Sequence, residues 1–213
     1  RLLQSLGLED EPIDMTLIKN MGIGTGLGSS AASAVAGAFG VNTYLNDPYT
    51  KAEILRFATE GEQIADGSFH ADNVAPCLLG GFILIRDNEK LEWTKLPSIP
   101  GIKSVIIYPH VKVLTKESRS ILKDEISLKD HIKQSGNLGT FVAGLYKCNI
   151  EMIRSSLEDL IIEPQRANLI PNFYDIKDIA MKEDALGFSI SGAGPSMFAL
   201  CANSFIAENI IKS

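Results

Sequence analysis

The sequence has little of the features that mark several other protein classes. Its three cysteines, Cys77, Cys148 and Cys201, are scattered and form no CxxC pair. That usage favours buried, reduced thiols over a disulfide framework or a metal site. No apolar run reaches the roughly 18–20 residues needed to cross a bilayer. The longest small-apolar stretch, 31–41, is too short, and its alanines and glycines suit a tightly packed helix.

An excess of basic residues is also missing, because the formal net charge is −6. This argues against a nucleic-acid or anionic-membrane surface, although a local loop can still bind phosphate. The chain begins at Arg1, with neither an initiator methionine nor a signal peptide. We therefore expect a cytoplasmic protein of which this chain is a piece, truncated at the N-terminus.

Hydrophobic periodicity predicts mixed helices and strands. The predicted helices are 31–45, 51–66, 118–122, 128–146, 150–157, 173–182 and 205–212. The predicted strands are 13–18, 82–86, 91–95, 102–108, 188–190 and 197–201. We expect strands 91–95 and 102–108 to pair, and prolines 164 and 171 to break the helical region. Because strands and helices do not strictly alternate, the pattern favours an α+β fold.

A glycine-dense loop carries the first functional signal. Gly22, Gly24, Gly26 and Gly28 alternate, and two serines then open a helix. Glycine allows positive φ, and successive N–H groups in such a loop can point at an anion. The helix that follows adds the positive end of its dipole. The serines could cap this helix or place a hydroxyl on Mg²⁺. The pattern favours a phosphate-binding loop.

Two other interpretations stay open on the residues alone. The loop lacks the Gly-Lys-Ser/Thr ending of a P-loop. Residues 26–31 also match the Gly-x-Gly-x-x-Ala dinucleotide fingerprint, and Asp47 lies roughly where its ribose acid would stand. A turn that only allows tight helix packing is the third interpretation.

The string GLGSSAA at 26–32 resembles the second conserved motif of the GHMP kinases, and SGAGPS at 191–196 resembles their third. This resemblance implies an incomplete N-terminal ATP-binding domain at 1–90, like domain 2 of ribosomal protein S5, and a ferredoxin-like C-terminal domain at 91–213. It implies Mg²⁺ on Ser30 and Glu62, with Glu62 preferred over Glu60 because it follows Gly61. One departure is Gly22, where the family usually has proline. The residues implied to bind ATP are Gly22, Gly24, Thr25, Gly26, Leu27, Gly28, Ser29 and Ser30.

A polar run, HADNVAP at 70–76, carries the second signal. The Asp72 carboxylate and the Asn73 side-chain carbonyl can accept from an ammonium group, and His70 can bond a polar end. The run resembles the HADNVAP pattern found in the branch of the GHMP kinases that phosphorylates the hydroxyl of L-homoserine. The resemblance thus implies a substrate with an ammonium, a carboxylate and a hydroxyl group.

An amino-acid carboxylate calls for a cation, preferably arginine. Arg119, with Thr115 four residues before it, and Arg166 in EPQRANLIP at 163–171 resemble segments of the same branch. We expect these residues and Gly192 to contact the substrate. Arg119 is counted with Ser30 and Glu62 among the catalytic residues, and nothing in the sequence compels a general base.

The expected activity is transfer of the ATP γ-phosphate to homoserine, in threonine biosynthesis. The alternatives are a GHMP kinase for another small hydroxyl substrate and a non-catalytic or dinucleotide-binding protein built on the 26–31 loop. We expect ATP and homoserine as partners, no nucleic acid and no membrane, and leave a homodimer open. A chain that is truncated at the N-terminus would leave a sheet without some of its strands, and such a sheet exposes its edges. We therefore do not expect these 213 residues alone to be active.

Overall fold

The computed structural model describes residues 1–67, 69–111, 113 and 115–213, and the side chains of Asp66, Thr115 and Lys116 lie outside that description. The chain divides into two compact units. The first comprises Arg1–Ile23 and Gly28–Leu96, and the second comprises Gly24–Leu27 and Pro97–Ser213. The chain therefore crosses between the units inside the glycine-dense loop and again between Leu96 and Pro97.

The first unit is a small helical layer with one hairpin. Its elements are α1 (Leu2–Ser5), α2 (Ser29–Tyr44), α3 (Lys51–Asp66), α4 (Val74–Leu79), β1 (Phe82–Asp87) and β2 (Glu92–Leu96). Ile54, Leu55 and Ala58 of α3 are buried against the small residues of α2 and against α4. Close approach of α2 and α3 is visible at Gly61, where an added Cβ would lie 3.4 Å from the Cβ of Ala34.

Local signals explain both ends of α3. Thr50 and Glu53 form a capping box, in which the Thr50 side chain accepts from the Glu53 N–H and the Glu53 carboxylate accepts from the Thr50 N–H. The Thr50 hydroxyl lowers the pKa of the Glu53 carboxyl, and the Thr50 N–H adds to the effect. The helix ends at Gly67, whose φ of 81° is the left-handed conformation that glycine adopts at low cost.

The predicted strand 13–18 is wrong. Residues 11–20 form no strand in the structure, and Met15, Leu17 and Ile18 are exposed. A strand requires a hydrogen-bonded neighbour, and none of the described residues pairs with this segment. Alternating apolar residues therefore do not suffice to make it a strand.

The second unit is a three-stranded antiparallel sheet covered by helices. Its elements are β3 (Lys103–Ile107), α5 (Thr115–Ser120), α6 (Leu128–Lys147), α7 (Ile150–Ser156), α8 (Glu163–Arg166), a 3-10 turn (Ala167–Leu169), α9 (Phe173–Lys182), β4 (Gly187–Ile190), β5 (Met197–Cys201) and α10 (Ser204–Lys212). The strand order is β3-β5-β4, with Lys103 opposite Cys201 and Ser189 opposite Phe198.

This topology agrees with the ferredoxin-like expectation. Both β3 and β4 run antiparallel to the central strand β5, so they are parallel to each other and are joined through helices as a split βαβ unit. The core lies between the sheet and helices α9 and α10. Phe173 and Phe188 meet edge to face there, with ring centroids 5.5 Å apart.

Two details of the predicted organisation are corrected. Strand 91–95 was expected to pair with 102–108, but β2 pairs with β1, whereas β3 pairs with β5 almost a hundred residues later. Pairing depends on the tertiary fold, which local patterning does not encode. Pro164 does not break a helix, because it occupies the first turn of α8, where the missing N–H costs little.

The cysteines differ from the expectation too. Cys201 is buried on β5, but Cys77 and Cys148 are exposed, and all three are free. Partial burial raises the pKa of the Cys77 thiol, and burial raises that of Cys201 as well.

Among the described residues, no helix has the length and apolar character required to span a bilayer.

Candidate functional site

The glycine-dense loop alternates glycines of positive φ with residues outside that region, a pattern found in anion-binding nests. Gly24, Gly26 and Gly28 have φ values of 72°, 77° and 72°, whereas Thr25 and Leu27 between them are not in the positive-φ region. Alternation of this kind turns successive N–H groups toward one side, where they can surround an anion. The three glycines are needed because other residues adopt this conformation only with strain.

Within the second unit, Gly24–Leu27 interlocks with the 191–196 loop (SGAGPS) between β4 and β5. The Ser191 hydroxyl donates to the Gly26 carbonyl at 2.8 Å, and the Ser196 N–H donates to the Thr25 carbonyl at 3.1 Å. A Cβ on Gly26 would lie 2.6 Å from the carbonyl oxygens of both Ser191 and Gly194. The two motifs therefore fit only while position 26 is glycine.

Within the first unit, helix α2 begins directly after the loop. Its N-cap is Gly28, and no side chain caps it, so of the two roles that the sequence left open for Ser29 and Ser30, capping is not observed. Ser30 is exposed, whereas the Ser29 hydroxyl is buried and, among the described residues, has no hydrogen-bond partner. N–H groups at an uncapped helix N-terminus are available to an anion.

Glu62 and Glu60 lie on α3 in different surroundings. Glu60 is half-buried, and Arg1 and Arg56 approach its carboxylate at 3.9 Å. One carboxylate oxygen of Glu62, Oε2, is buried without a hydrogen-bond partner among the described residues. A buried carboxylate oxygen normally has a partner, so of these two glutamates Glu62 is the one that suits an added ligand.

The residues of the first unit fit a magnesium ion. Over the described part of the chain, no three His, Cys, Asp or Glu side chains cluster as a protein metal cage. Mg²⁺ does not need such a cage, since it usually takes one or two carboxylates together with phosphates and water. The unpartnered oxygen of Glu62 supplies a ligand of the right chemistry.

The second unit holds the predicted arginines. Arg166 is half-buried, and its guanidinium donates from Nε to the Ser118 carbonyl at 2.9 Å and from Nη1 to the Gly192 carbonyl at 3.0 Å. Burial is the main cause that lowers the pKa of Arg166, and the positive charge of exposed Arg119 lowers it further. The negative charge of Asp159 raises this pKa and offsets part of the shift. Two like charges near each other favour the binding of an anion beside them.

Other members of these motifs have structural roles. Glu163 is buried and forms an ion pair with Lys177, and its backbone N–H donates to Asp159. The pair anchors α8, which carries Arg166. Thr115, the last predicted substrate contact of this group, has its side chain outside the described part of the chain.

The His70, Asp72 and Asn73 side chains are exposed in the loop that precedes α4. Ala71, between them, is fully buried, and its N–H donates to the side chain of Asn88 at 2.9 Å. Asn73 Oδ1 lies 3.5 Å from the position that a Cβ on Gly28 would take. The structure thus brings Asn73, predicted for the substrate, next to Gly28, predicted for the nucleotide.

A cavity of about 220 Å³ in the second unit is lined by α6, the end of α7 and β4, including Gln134, Leu157, Phe188 and Ile190. None of the predicted site residues whose side chains the structure describes lines it, so it is not counted with the candidate site.

Two residues that sequence reasoning gave no specific role connect the parts of the second unit. Ser118 is fully buried, and its hydroxyl donates to the Ala193 carbonyl at 2.6 Å. Ser191 makes the bond to Gly26 described above. Neither role could be predicted from the sequence. Serine is a common residue, and the partners of both serines lie far away along the chain.

Comparison with known proteins connects these features to one family. The model of the GHMP kinases N terminal domain matches residues 1–81, and the model of the GHMP kinases C terminal domain matches residues 138–213. Each of the two units thus contains a match to one half of the family's architecture.

Individual relatives agree. A homoserine kinase of Chloroherpeton thalassium is 47% identical over 92% of this chain and 62% of its own length, and one of Chlorobium phaeobacteroides is 43% identical over 93% and 62%. The chain therefore spans about three fifths of the length of these relatives.

Solved structures give the same result. The crystal structure of homoserine kinase from Cytophaga hutchinsonii superposes with a TM-score of 0.88 at 48% identity, covering 90% of this chain and 61% of that one. Mevalonate kinase of L. major, at 17% identity and a TM-score of 0.72 over 87% of this chain and 60% of that one, shares the fold. From its motifs, its two units and these matches, the chain belongs to the GHMP kinase family.

Proposed function

We propose that the protein containing this chain transfers the γ-phosphate of ATP to the side-chain hydroxyl of L-homoserine, yielding O-phospho-L-homoserine for threonine biosynthesis in the cytoplasm. The observation that carries the substrate assignment is the guanidinium of Arg166, held by two backbone carbonyls near a second arginine. An arginine fixed in this way is suited to a carboxylate. The homoserine kinases that resemble this chain over about nine tenths of its length support the same assignment.

The nucleotide contacts follow from the loop. Amides of Gly24, Gly26 and Gly28 and the backbone N–H groups of Ser29 and Ser30 would bind ATP phosphates, with Gly22, Thr25 and Leu27 shaping the loop between them. Ser30 and Glu62 would hold Mg²⁺, with the unpartnered Glu62 oxygen as a ligand. Bound Mg²⁺ would neutralise charge on the phosphates.

The chain's own residues would then orient the acceptor. Arg119, Arg166 and Gly192 would hold the carboxylate end, with Thr115 as a hydroxyl contact. The Asp72 carboxylate and the Asn73 side-chain carbonyl would accept from the ammonium group, and His70 would bond a polar end. Phosphoryl transfer depends chiefly on positioning and charge neutralisation, so the hydroxyl proton can pass to phosphate or water without a dedicated base.

The test is Mg²⁺-dependent ADP release by the complete gene product, with ATP and a panel of homoserine, serine, mevalonate and galactose. We expect selective turnover of homoserine. Turnover of another panel member would keep the nucleotide site and overturn the substrate assignment. Absence of turnover with every acceptor in folded protein would overturn the kinase proposal, and NAD(P) binding without ATP binding would favour the dinucleotide alternative.

A further inference from the structure

The carbonyls of two successive peptides in the glycine loop are held by one partner. Thr25 offers its carbonyl to the Ser196 N–H and Gly26 offers its carbonyl to the Ser191 hydroxyl, so both carbonyls face the 191–196 loop. In a trans peptide the C=O and the following N–H point in opposite directions. The N–H groups of Gly26 and Leu27 are therefore both directed away from the 191–196 loop.

The two bonds differ in what supports them. The bond to Thr25 comes from the backbone N–H of Ser196, so it does not depend on the Ser196 hydroxyl. The bond to Gly26 comes from the Ser191 side chain alone. Since Gly26 is a glycine with positive φ, its own backbone preference does not hold the peptide between Gly26 and Leu27 in one orientation.

The 191–196 loop is itself well anchored. Gly192 accepts from Arg166, Ala193 accepts from the buried Ser118 hydroxyl, and the Ser191 N–H donates to the Ser196 carbonyl at 2.8 Å. The Ser191 hydroxyl is therefore presented from a fixed backbone and can determine the orientation of its acceptor.

We propose that Ser191 is a positioning residue for the nucleotide: its hydroxyl holds the Gly26 carbonyl and thereby aims the Leu27 N–H at a nucleotide phosphate. This inference rests on the proposed function, because it assumes that the glycine loop binds ATP. Ser191 itself touches no reacting atom. Its loss acts through the alignment of loop amides, so it weakens nucleotide binding and leaves homoserine binding nearly unchanged.

The experiment measures the Kd of the complete gene product for AMP-PNP with MgCl₂, and separately for homoserine, by isothermal titration calorimetry. Ser191→Ala should weaken AMP-PNP binding about three- to tenfold, the value of one neutral hydrogen bond. Ser191→Thr, which keeps a hydroxyl, should restore most of the affinity. Ser189→Ala is the matched control, because Ser189 lies two residues earlier on β4, outside the loop.

Thermal unfolding of each variant separates positioning from general damage. If Ser191→Ala does not fold, Ser191→Cys replaces it, since a thiol is nearly isosteric and a weaker donor. The inference would be overturned by unchanged AMP-PNP affinity in Ser191→Ala, or in the Ser191→Cys variant that replaces it. It would also be overturned if Ser189→Ala lost as much AMP-PNP affinity, or if the Ser191 variant lost as much affinity for homoserine as for AMP-PNP. A wild-type protein that binds no nucleotide would instead overturn the proposed function, and the inference with it.

Discussion

The Gly24–Leu27 segment and the 70–73 loop are built in opposite ways. In the first, backbone carbonyls meet the 191–196 loop and there is no room for even a methyl group at position 26. In the second, the polar side chains of His70, Asp72 and Asn73 are exposed. A site made of backbone should fail when atoms are added, whereas a site made of side chains should fail when charge or hydrogen-bonding groups are removed.

The largest effect is expected from adding one methyl group to the backbone-built region. In Gly26→Ala the Cβ would lie 2.6 Å from two backbone oxygens at a φ of 77°. Nucleotide binding should be lost, as measured by calorimetry with AMP-PNP. Gly24→Ala is the control, because its φ is 72° but nothing lies within 4 Å of its Cβ. It should show only the strain of a left-handed residue, about 1–2 kcal/mol. Equal effects in the two variants would refute the interlock.

The next largest effect is expected from removing a charge. Glu62→Gln should lower kcat about 100-fold, or about 2.7 kcal/mol, through loss of a metal ligand. Glu60→Gln should retain near-normal kcat, because Glu60 is only half-buried and its arginine contacts are long. The measurement is the Mg²⁺ dependence of ADP release. Near-normal turnover of Glu62→Gln would remove this residue from the metal site.

Arg166→Ala should chiefly raise the KM for homoserine, by about 100-fold, since the carboxylate does not react. Arg154→Ala serves as the control. Arg154 donates to the Ala185 carbonyl at 3.0 Å and pairs with Asp184 at 3.0 Å, so its loss should lower the Tm without changing this KM. An unchanged KM in Arg166→Ala would withdraw the carboxylate assignment.

A smaller effect is expected in the side-chain-built loop. Asp72→Asn should raise the KM for homoserine about tenfold by weakening a charge-assisted hydrogen bond to the ammonium group. The Tm should not change, because the side chain is exposed. Glu89→Gln, another exposed carboxylate of the first unit, should change neither quantity. A fall in Tm for Asp72→Asn would indicate that this loop, too, is structural.

The smallest effect calibrates the scaffold. Thr50→Ala removes the cap of α3 and should lower the Tm by about 2–4 °C near pH 7. Because the pKa of Glu53 is lowered in the folded state, its stabilising bond exists above the ordinary carboxyl pKa and is lost as the pH falls through the folded value. The Tm difference between wild type and Thr50→Ala should therefore shrink as the pH falls below the ordinary carboxyl pKa, measured by circular dichroism. A constant difference would exclude the carboxylate as its source.

The comparison also explains which features could be predicted from the sequence. Helix α3 follows from local signals, namely Thr50, Glu53 and the terminal Gly67. The glycine loop was recognisable because positive φ demands glycine at fixed spacing. The pairing of β3 with β5 was not predictable, because the two strands are far apart along the chain and local patterning does not encode such pairs. The role of Ser191 was hidden for the same reason, since its acceptor lies 165 residues away.

The membership of Gly24–Leu27 in the second unit bears on how such proteins can recombine. A chimera that joins one parent to another at Leu96 takes residues 24–27 from the first parent and the 191–196 loop from the second. Position 26 meets backbone atoms there, so no side-chain substitution in the partner loop can make space for a larger residue. A viable crossover at Leu96 therefore requires that the parent supplying residues 24–27 keeps glycine at position 26.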